Sequence, residues 1–181
     1  MDYPLLSLQL ARELEMAEAE AATACAERLQ ATSGVDSAAV RAVAGGFAVY
    51  CGANSPVTQA VGLGLNGPVS KEEFDWLEEF YFTRKEPVRV ETCPMADATL
   101  MEHYKDRGYF VSEFSNVMVR PVGNVEMPAV NEIEVRRAGD GELELWTLTV
   151  AQGFAENYPV TKELLEVMKL FASGKDRKSV V

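Results

Sequence analysis

An apolar stripe commits the opening of this chain to one long helix. Over residues 5–32, Leu10, Leu14, Ala17, Ala21, Cys25 and Arg28 or Leu29 recur at intervals of three or four, which places them on one helical face. Glu13, Glu15, Glu18, Glu20 and Glu27 fall mostly on the solvent side, and Gly34 follows as a C-terminal stop. A helix of this length must cover its stripe. A sheet within the chain does so most simply, and a partner chain is the alternative.

The pattern then changes period. Residues 38–44 and 47–51 read as short strands, with Gly45-Gly46 as the two-residue turn between them. A loop over 52–58 leads to a third apolar run, 59–65, which contains Gly62 and Gly64. Ser70 and Glu73 form a capping box that opens a second helix, with Val69 and Phe74 placed as its hydrophobic staple. Phe74, Leu77, Phe80 and Tyr81 are its expected buried stripe, and Pro87 closes the unit. Residues 88–93 alternate as a strand. Asp97 caps a third helix, 98–107, which Gly108 ends, and 109–120 is a long β-patterned segment. After a linker at 123–131 the pattern restarts with a strand at 132–136 and helices at 140–155 and 161–172. A polar tail at 173–181 is expected to be disordered apart from its two valines.

Charge and composition narrow the function classes. A formal charge of −11 repels a phosphate backbone, and the only basic cluster is Lys175, Arg177 and Lys178 in the tail, so nucleic acid is not an expected partner. No apolar run is long enough to cross a bilayer and no secretory leader is legible, so the expectation is a cytoplasmic protein without a membrane partner. Cys25, Cys51 and Cys93 are too far apart for a zinc site and the single histidine, His103, cannot complete one. They read as buried reduced thiols, and no metal is expected.

The segment 98–109, Ala-Thr-Leu-Met-Glu-His-Tyr-Lys-Asp-Arg-Gly-Tyr, resembles the late helix and turn of the GNAT superfamily of acetyl-CoA-dependent N-acetyltransferases. There a tyrosine-bearing helix ends in a Gly-aromatic pair, here Gly108-Tyr109, and a strand follows. The runs 59–65 and 88–93 match the family's fourth and fifth strands, and the likeness spans roughly residues 37–121 by order of elements. A second likeness begins at Glu132-Ile133-Glu134-Val135-Arg136-Arg137-Ala138. With the following helix, which carries Trp146 and Gly153-Phe154, it resembles the start of another GNAT domain. The resemblance implies an α/β (α+β) fold with a mixed, mostly antiparallel sheet, a parallel fourth/fifth strand pair and helices on both faces. It implies a tandem-domain organisation: 1–122 a GNAT-like domain, 123–131 a linker, 132–172 the incomplete start of a second domain, and 173–181 a tail. The chain then reads as the front portion of a longer protein or as a truncated product.

The resemblance also implies a site. GNAT enzymes hold the pyrophosphate of acetyl-CoA, their cosubstrate, on backbone N–H groups at a helix N-terminus, where dipole and donors both favour an anion. The matching loop is Asn66-Gly67-Pro68-Val69-Ser70. It is shorter than the family's loop and lacks its leading basic or amide residue. Pro68 removes a donor, leaving Gly67, Val69 and Ser70 to offer theirs. Leu63, Gly64 and Leu65 stand where the splayed fourth strand would pair with the pantetheine arm, and are equally an ordinary buried strand. Direct transfer to an amine needs a base and an acid. Tyr104 matches the acid by position and Glu91, at the expected strand end, is the nearest base; each is also an ordinary packing or surface residue.

Three alternatives stay open. Cys93 is a possible nucleophile whose nearest histidine is His103. Gly62-Leu63-Gly64-Leu65-Asn66-Gly67 spells a dinucleotide fingerprint with Glu91 downstream, although Pro68 and the Ser70 cap start the helix later than that fingerprint requires. The main alternative to an N-acyltransferase acting on a small-molecule or peptide amine is a degenerate GNAT-like domain that serves a structural, dimerising or regulatory purpose. Leu164, Leu165, Val167, Met168 and Phe171 form an apolar face that packs on the first domain or finds another chain, as in a homodimer.

Overall fold

The computed structural model describes residues 7–119, 135–136, 138–155, 158–173 and 179–180. Among these residues it is a mixed α/β structure of five α-helices, a three-stranded antiparallel sheet and a separate two-stranded pair. The described residues fall into two compact units. One takes those of Met1–Glu20, Arg41–Ala48 and Ala60–Pro128, and the other those of Ala21–Val40, Val49–Gln59 and Ala129–Val181. The linker expected at 123–131 lies outside the described residues, as does most of the expected tail. Among the described residues no helix is long and apolar enough to cross a membrane.

Helix α1 (Leu8–Ser33) forms as the stripe predicts, but it buries a different face. Ala11, Ala19, Ala22, Cys25 and Ala26 are buried, whereas Ala17 and Ala21 of the expected stripe are exposed. The reason is size. Alanines spaced three, four or eight residues apart give a flat helical face that lets backbone approach closely, and this outweighs the larger but more scattered leucines. Glu15 lies on that same close-packed face and is only partly exposed.

Strands β1 (Ala39–Val43), β2 (Gly46–Tyr50) and β3 (Gln59–Val61) form the sheet in the order β1-β2-β3. The hairpin turn is displaced by one residue from the expected Gly45-Gly46. Its central residues are Ala44 and Gly45, both at positive φ (49° and 82°), as a type I′ turn requires. Gly46 instead begins β2, pressed against the Val61 carbonyl: a Cβ there would stand 2.1 Å from that oxygen. Close approach places this glycine, and the left-handed strain falls on Ala44. The third apolar run is a strand only as far as Val61, because Gly62 (φ 76°) and Gly64 (φ 71°) turn the chain through 62–67.

Helix α2 (Lys71–Phe82) begins at the predicted capping box. Ser70 Oγ accepts from the Glu73 N–H, and the Glu73 carboxylate accepts from the Ser70 N–H. Its buried residues are Phe74, Leu77, Phe80 and Tyr81, as the stripe predicts. Each contributes about 1.5–3 kcal/mol through removal from water. Helix α3 (Ala98–Arg107) starts at Asp97, whose carboxylate accepts from the Thr99 N–H, and ends at Gly108 in the left-handed conformation (φ 75°).

Two predicted strands are missing. The 88–93 segment makes a single parallel bridge, Ala60 with Val90, through Ala60 N–H to Arg89 O and Glu91 N–H to Ala60 O. With β3 turned away at Gly62, there is no neighbour for a second rung. The 109–119 segment forms no strand. Phe110, Phe114 and Met118 are 85, 89 and 91% exposed. A β-patterned run pairs only when another edge supplies hydrogen bonds, and among the described residues none does.

In the other unit, a short antiparallel pair joins β4 (Val135–Arg136) to β5 (Ser179–Val180). Helices α4 (Leu143–Ala155) and α5 (Lys162–Ala172) pack through Ala151, Val167 and Met168. Leu164, Leu165 and Phe171, with Val57, Val150 and Val160, surround this cluster, so the apolar face of α5 is covered within its own unit. Thr161 caps α5 by accepting from the Leu164 N–H.

Two glycines give opposite expectations. Gly46→Ala forces a methyl into backbone and lowers stability by about 1–3 kcal/mol. Gly153→Ala, in α4 with open space around it, raises stability by about 0.5–1 kcal/mol. Urea unfolding followed by circular dichroism checks both, and equal signs would refute the close-approach account.

Candidate functional site

The candidate coenzyme-binding and catalytic residues belong to the first unit: Leu63, Gly64, Leu65, Gly67, Val69 and Ser70 on the turn 62–70, Glu91 on the segment after α2, and Tyr104 on α3. Leu63 and Leu65 are buried and Gly64 lies between them. Its N–H donates to Ala44 O (2.9 Å) and its carbonyl accepts from Asp97 N–H (2.8 Å). The Leu65 carbonyl accepts from Arg12 Nε (2.9 Å). The Gly64 amide and carbonyl and the Leu65 carbonyl, which a pantetheine arm would need, are thus paired with the protein itself.

The same holds at the start of α2. The Val69 N–H donates to Thr99 Oγ1 (2.8 Å), and that hydroxyl donates to Asp97 Oδ1 (2.8 Å), tying the loop to the cap of α3. The two hydrogen bonds from Thr99, backbone first, hold the Asp97 carboxyl below its usual range. The Val69 carbonyl meets His103 Nε2 at 2.9 Å. The Ser70 N–H and hydroxyl both point to Glu73 Oε2 (2.9 Å each), and these bonds, led by the backbone one, depress the Glu73 pKa. An ionised carboxylate therefore occupies the positive end of the α2 dipole. Gly67, at φ 132°, adopts a conformation that glycine alone accepts freely. A pyrophosphate arriving here meets two engaged amides and a negative charge, so these residues do not fit the phosphate group of the coenzyme.

Tyr104, on α3, reaches the 88–93 segment that carries Glu91. The Tyr104 hydroxyl is 2.8 Å from Thr92 Oγ1, the residue after Glu91. Burial pushes the Tyr104 pKa up to about 12, against the lowering effect of Thr92, so the phenol holds its proton at neutral pH. Its ring packs against Phe74 and Tyr109, at centroid distances of 5.9 and 5.3 Å. His103 stacks on Phe74 (5.0 Å), and Arg107 lies over the same ring while bridging Asp75 and Glu78. Tyr109 donates to Glu78 Oε1 (3.1 Å). His103 and Tyr104 thus belong to an aromatic cluster centred on Phe74. Cys93 is half-buried. No three His, Cys, Asp or Glu side chains gather as metal ligands among the described residues.

One residue escaped the sequence reading. Glu15, expected in solvent, lines an open groove of about 420 Å³ with Arg12, Met16, Gly45, Gly62 and Asn66. Its Oε2 is buried and has no hydrogen-bond partner among the described residues. Burial raises its pKa first and the neighbouring Glu91 carboxylate raises it further, while a bond from the Gly62 N–H offsets part of this. The available signal was the alanine spacing: position 15 sits between Ala11 and Ala19, on the close-packed face.

Comparison with family models, with curated proteins and with solved structures returns no match for this chain.

Two predictions follow from these geometries. Folding raises the Glu15 pKa above its ordinary value of 4.5, so the stability linked to that proton is present below about pH 4.5 and is lost as pH rises through the raised value. Glu15→Gln keeps an acceptor for Gly62 and cannot ionise. Its urea midpoint should exceed that of the wild type at pH 7 and coincide with it near pH 4; an unchanged or lowered midpoint at pH 7 contradicts the assignment. Tyr104→Phe removes the bond to Thr92 and should lower stability by about 0.5–1.5 kcal/mol by the same assay, with no loss marking a dispensable contact.

Proposed function

We propose that this chain is a GNAT-type, acetyl-CoA-dependent N-acyltransferase or a segment of one, and that its domain over residues 1–122 is a catalytically degenerate module with a structural, dimerising or regulatory role. The likeness of 98–109 to the late GNAT helix is supported by a helix capped at Asp97 and closed at Gly108-Tyr109. The parallel pairing of a fourth and a fifth strand is supported at one rung, Ala60 with Val90. The acceptor of such an activity is an amine, of a small molecule or a peptide.

The degenerate role rests on one observation above the others. The amides of Val69 and Ser70 are already satisfied by Thr99 and Glu73. Binding an anion there would break both bonds and place its charge against the Glu73 carboxylate, and burying unpaired or like-charged groups costs more than the anion contributes. Paired backbone at Gly64 and Leu65 removes the second anchoring element. Tyr104 keeps the proton that a general acid needs, but its hydroxyl is already bonded to Thr92.

Isothermal titration of the purified chain with acetyl-CoA, and with coenzyme A as control, tests this reading. The expected outcome is no saturable binding, with any Kd at about 1 mM or weaker. Saturable binding at about 1 μM would overturn the degenerate reading and return Tyr104 and Glu91 to the position of acid and base.

A further inference from the structure

The segment after α3 is apolar and stands in solvent. Every residue from Phe110 to Val119 is exposed, and among the described residues nothing pairs with the backbone of this run. Phe110, Phe114 and Met118 are almost wholly exposed, and Val111 and Val117 are 67 and 64% exposed. The start of the run is held in place: the Tyr109 N–H donates to Tyr104 O (2.9 Å) and its hydroxyl donates to Glu78 Oε1 (3.1 Å). A β-patterned run with open N–H and C=O groups is a template for a further strand, and its bare apolar side chains favour one. The order of residues says which strand fits. Tyr109-Phe110-Val111-Ser112-Glu113-Phe114-Ser115-Asn116-Val117-Met118-Val119 has the same polarity pattern in both directions: three apolar, two polar, one apolar, two polar, three apolar. Two antiparallel copies related by a twofold axis at Phe114 therefore match like with like. Phe114 faces its own copy, Phe110 faces Met118, Val111 faces Val117, Ser112 faces Asn116 and Glu113 faces Ser115.

We propose that residues 109–119 are a self-recognition strand, through which two copies of this chain associate as an antiparallel β-ribbon centred on Phe114. The inference rests on the pattern of this segment and not on the GNAT likeness; titration with acetyl-CoA decides coenzyme binding separately, whatever the oligomeric state. The same patch serves both partners, as a twofold interface requires. Each strand supplies the hydrogen-bonding edge that the other lacks, and Phe110, Phe114 and Met118 of both copies gather on one face of the ribbon, because alternate residues share a face. The register is fixed by exclusion. A shift of one residue sets Glu113 against Phe114 in one direction and Ser112 against Val117 in the other. A shift of two sets Glu113 against its own copy, or Phe114 against Asn116. Glu113 is the only charged residue of the run, and in the centred register its direct neighbour across the ribbon is a serine. Two strands alone make a modest interface, so the dimer is expected to dissociate on dilution.

Sedimentation equilibrium of the full chain, from about 1 μM to about 1 mM, reads the association. The wild type is expected to pass from monomer to dimer over this range. Phe114→Asp sets two carboxylates against each other on the axis and should remain monomeric throughout. Its circular dichroism and Tm should match the wild type, since Phe114 is 89% exposed. Disulfide trapping then reads the register, in a Cys93→Ser background where Cys25 and Cys51 are buried. Phe114→Cys should oxidise to a covalent dimer that dithiothreitol reverses. Val111→Cys should not, because the two copies of residue 111 lie six positions apart along the ribbon, about 20 Å, well beyond disulfide reach. Val111→Cys combined with Val117→Cys should cross-link again. A wild type that stays monomeric at every concentration, as a strand folded back on its own chain would be, overturns the proposal. So does a dimer that Phe114→Asp leaves intact, or cross-linking at 111 alone as readily as at 114, which marks parallel pairing.

Discussion

A buried backbone amide has to find an acceptor, and at the turn 62–70 this requirement organises the first unit. The turn follows a strand of three residues and carries two buried leucines, so much of its backbone lies away from water. Water cannot pair those groups, and each left unpaired would cost as much as several good contacts contribute. Side chains and backbone from four places supply the partners: Arg12 on α1, Ala44 in the hairpin, Asp97 with Thr99 at the head of α3, and Glu73 on the first turn of α2. Thr99 is the link that joins them. Its hydroxyl accepts from the loop and donates to the helix cap, so the entry to α2 and the entry to α3 are fixed by one residue.

That economy has a chemical side. A helix N-terminus is an anion site only while its donors are free, and here the first turn carries its own anion in Glu73. The capping box therefore does two things with one carboxylate: it stabilises the helix and it excludes a competing negative charge. The aromatic cluster around Phe74 behaves in the same way. His103, Tyr104 and Tyr109 are residue types that catalysis often uses, yet each has its polar atom committed, to Val69, Thr92 and Glu78 respectively. The first unit spends its reactive groups on holding itself together.

The features legible in the sequence are those set by neighbours a few residues apart. Ser70 with Glu73, Asp97 before a run of helix formers, Gly108 after it, and the 74-77-80-81 stripe all act within one or two helical turns, and all stand in the structure as expected. What was not legible depends on residues far away in the chain. The hairpin turn moved to Ala44-Gly45 because of the Val61 carbonyl, which no local pattern around Gly45-Gly46 encodes. The run 59–65 has strand composition, but two glycines at positive φ turn it after Val61, and the bridge to Val90 shrank to one rung as a result. Glu15 looked like one acid among many on a solvated face. Only the small size of Ala11 and Ala19 distinguished that face, and a leucine-weighted count overlooks it. At the candidate site, the loop and its chain positions were legible, while the pairing of its amides was not, since Thr99 lies thirty residues further on.

The alanine face of α1 also shapes how this chain can vary. At Ala19 and Ala26 no part of the side chain is reachable by solvent, and Ala11 and Ala22 are nearly as enclosed. A larger side chain there has no space to enter, and glycine would loosen the helix, so tolerated changes at these positions are confined to residues about the size of alanine. One helical turn away, Ala17 and Ala21 face outward and accept almost any helix-forming residue. Drift along α1 should therefore follow the helical period, with four small positions nearly frozen and the acidic face between them free to change.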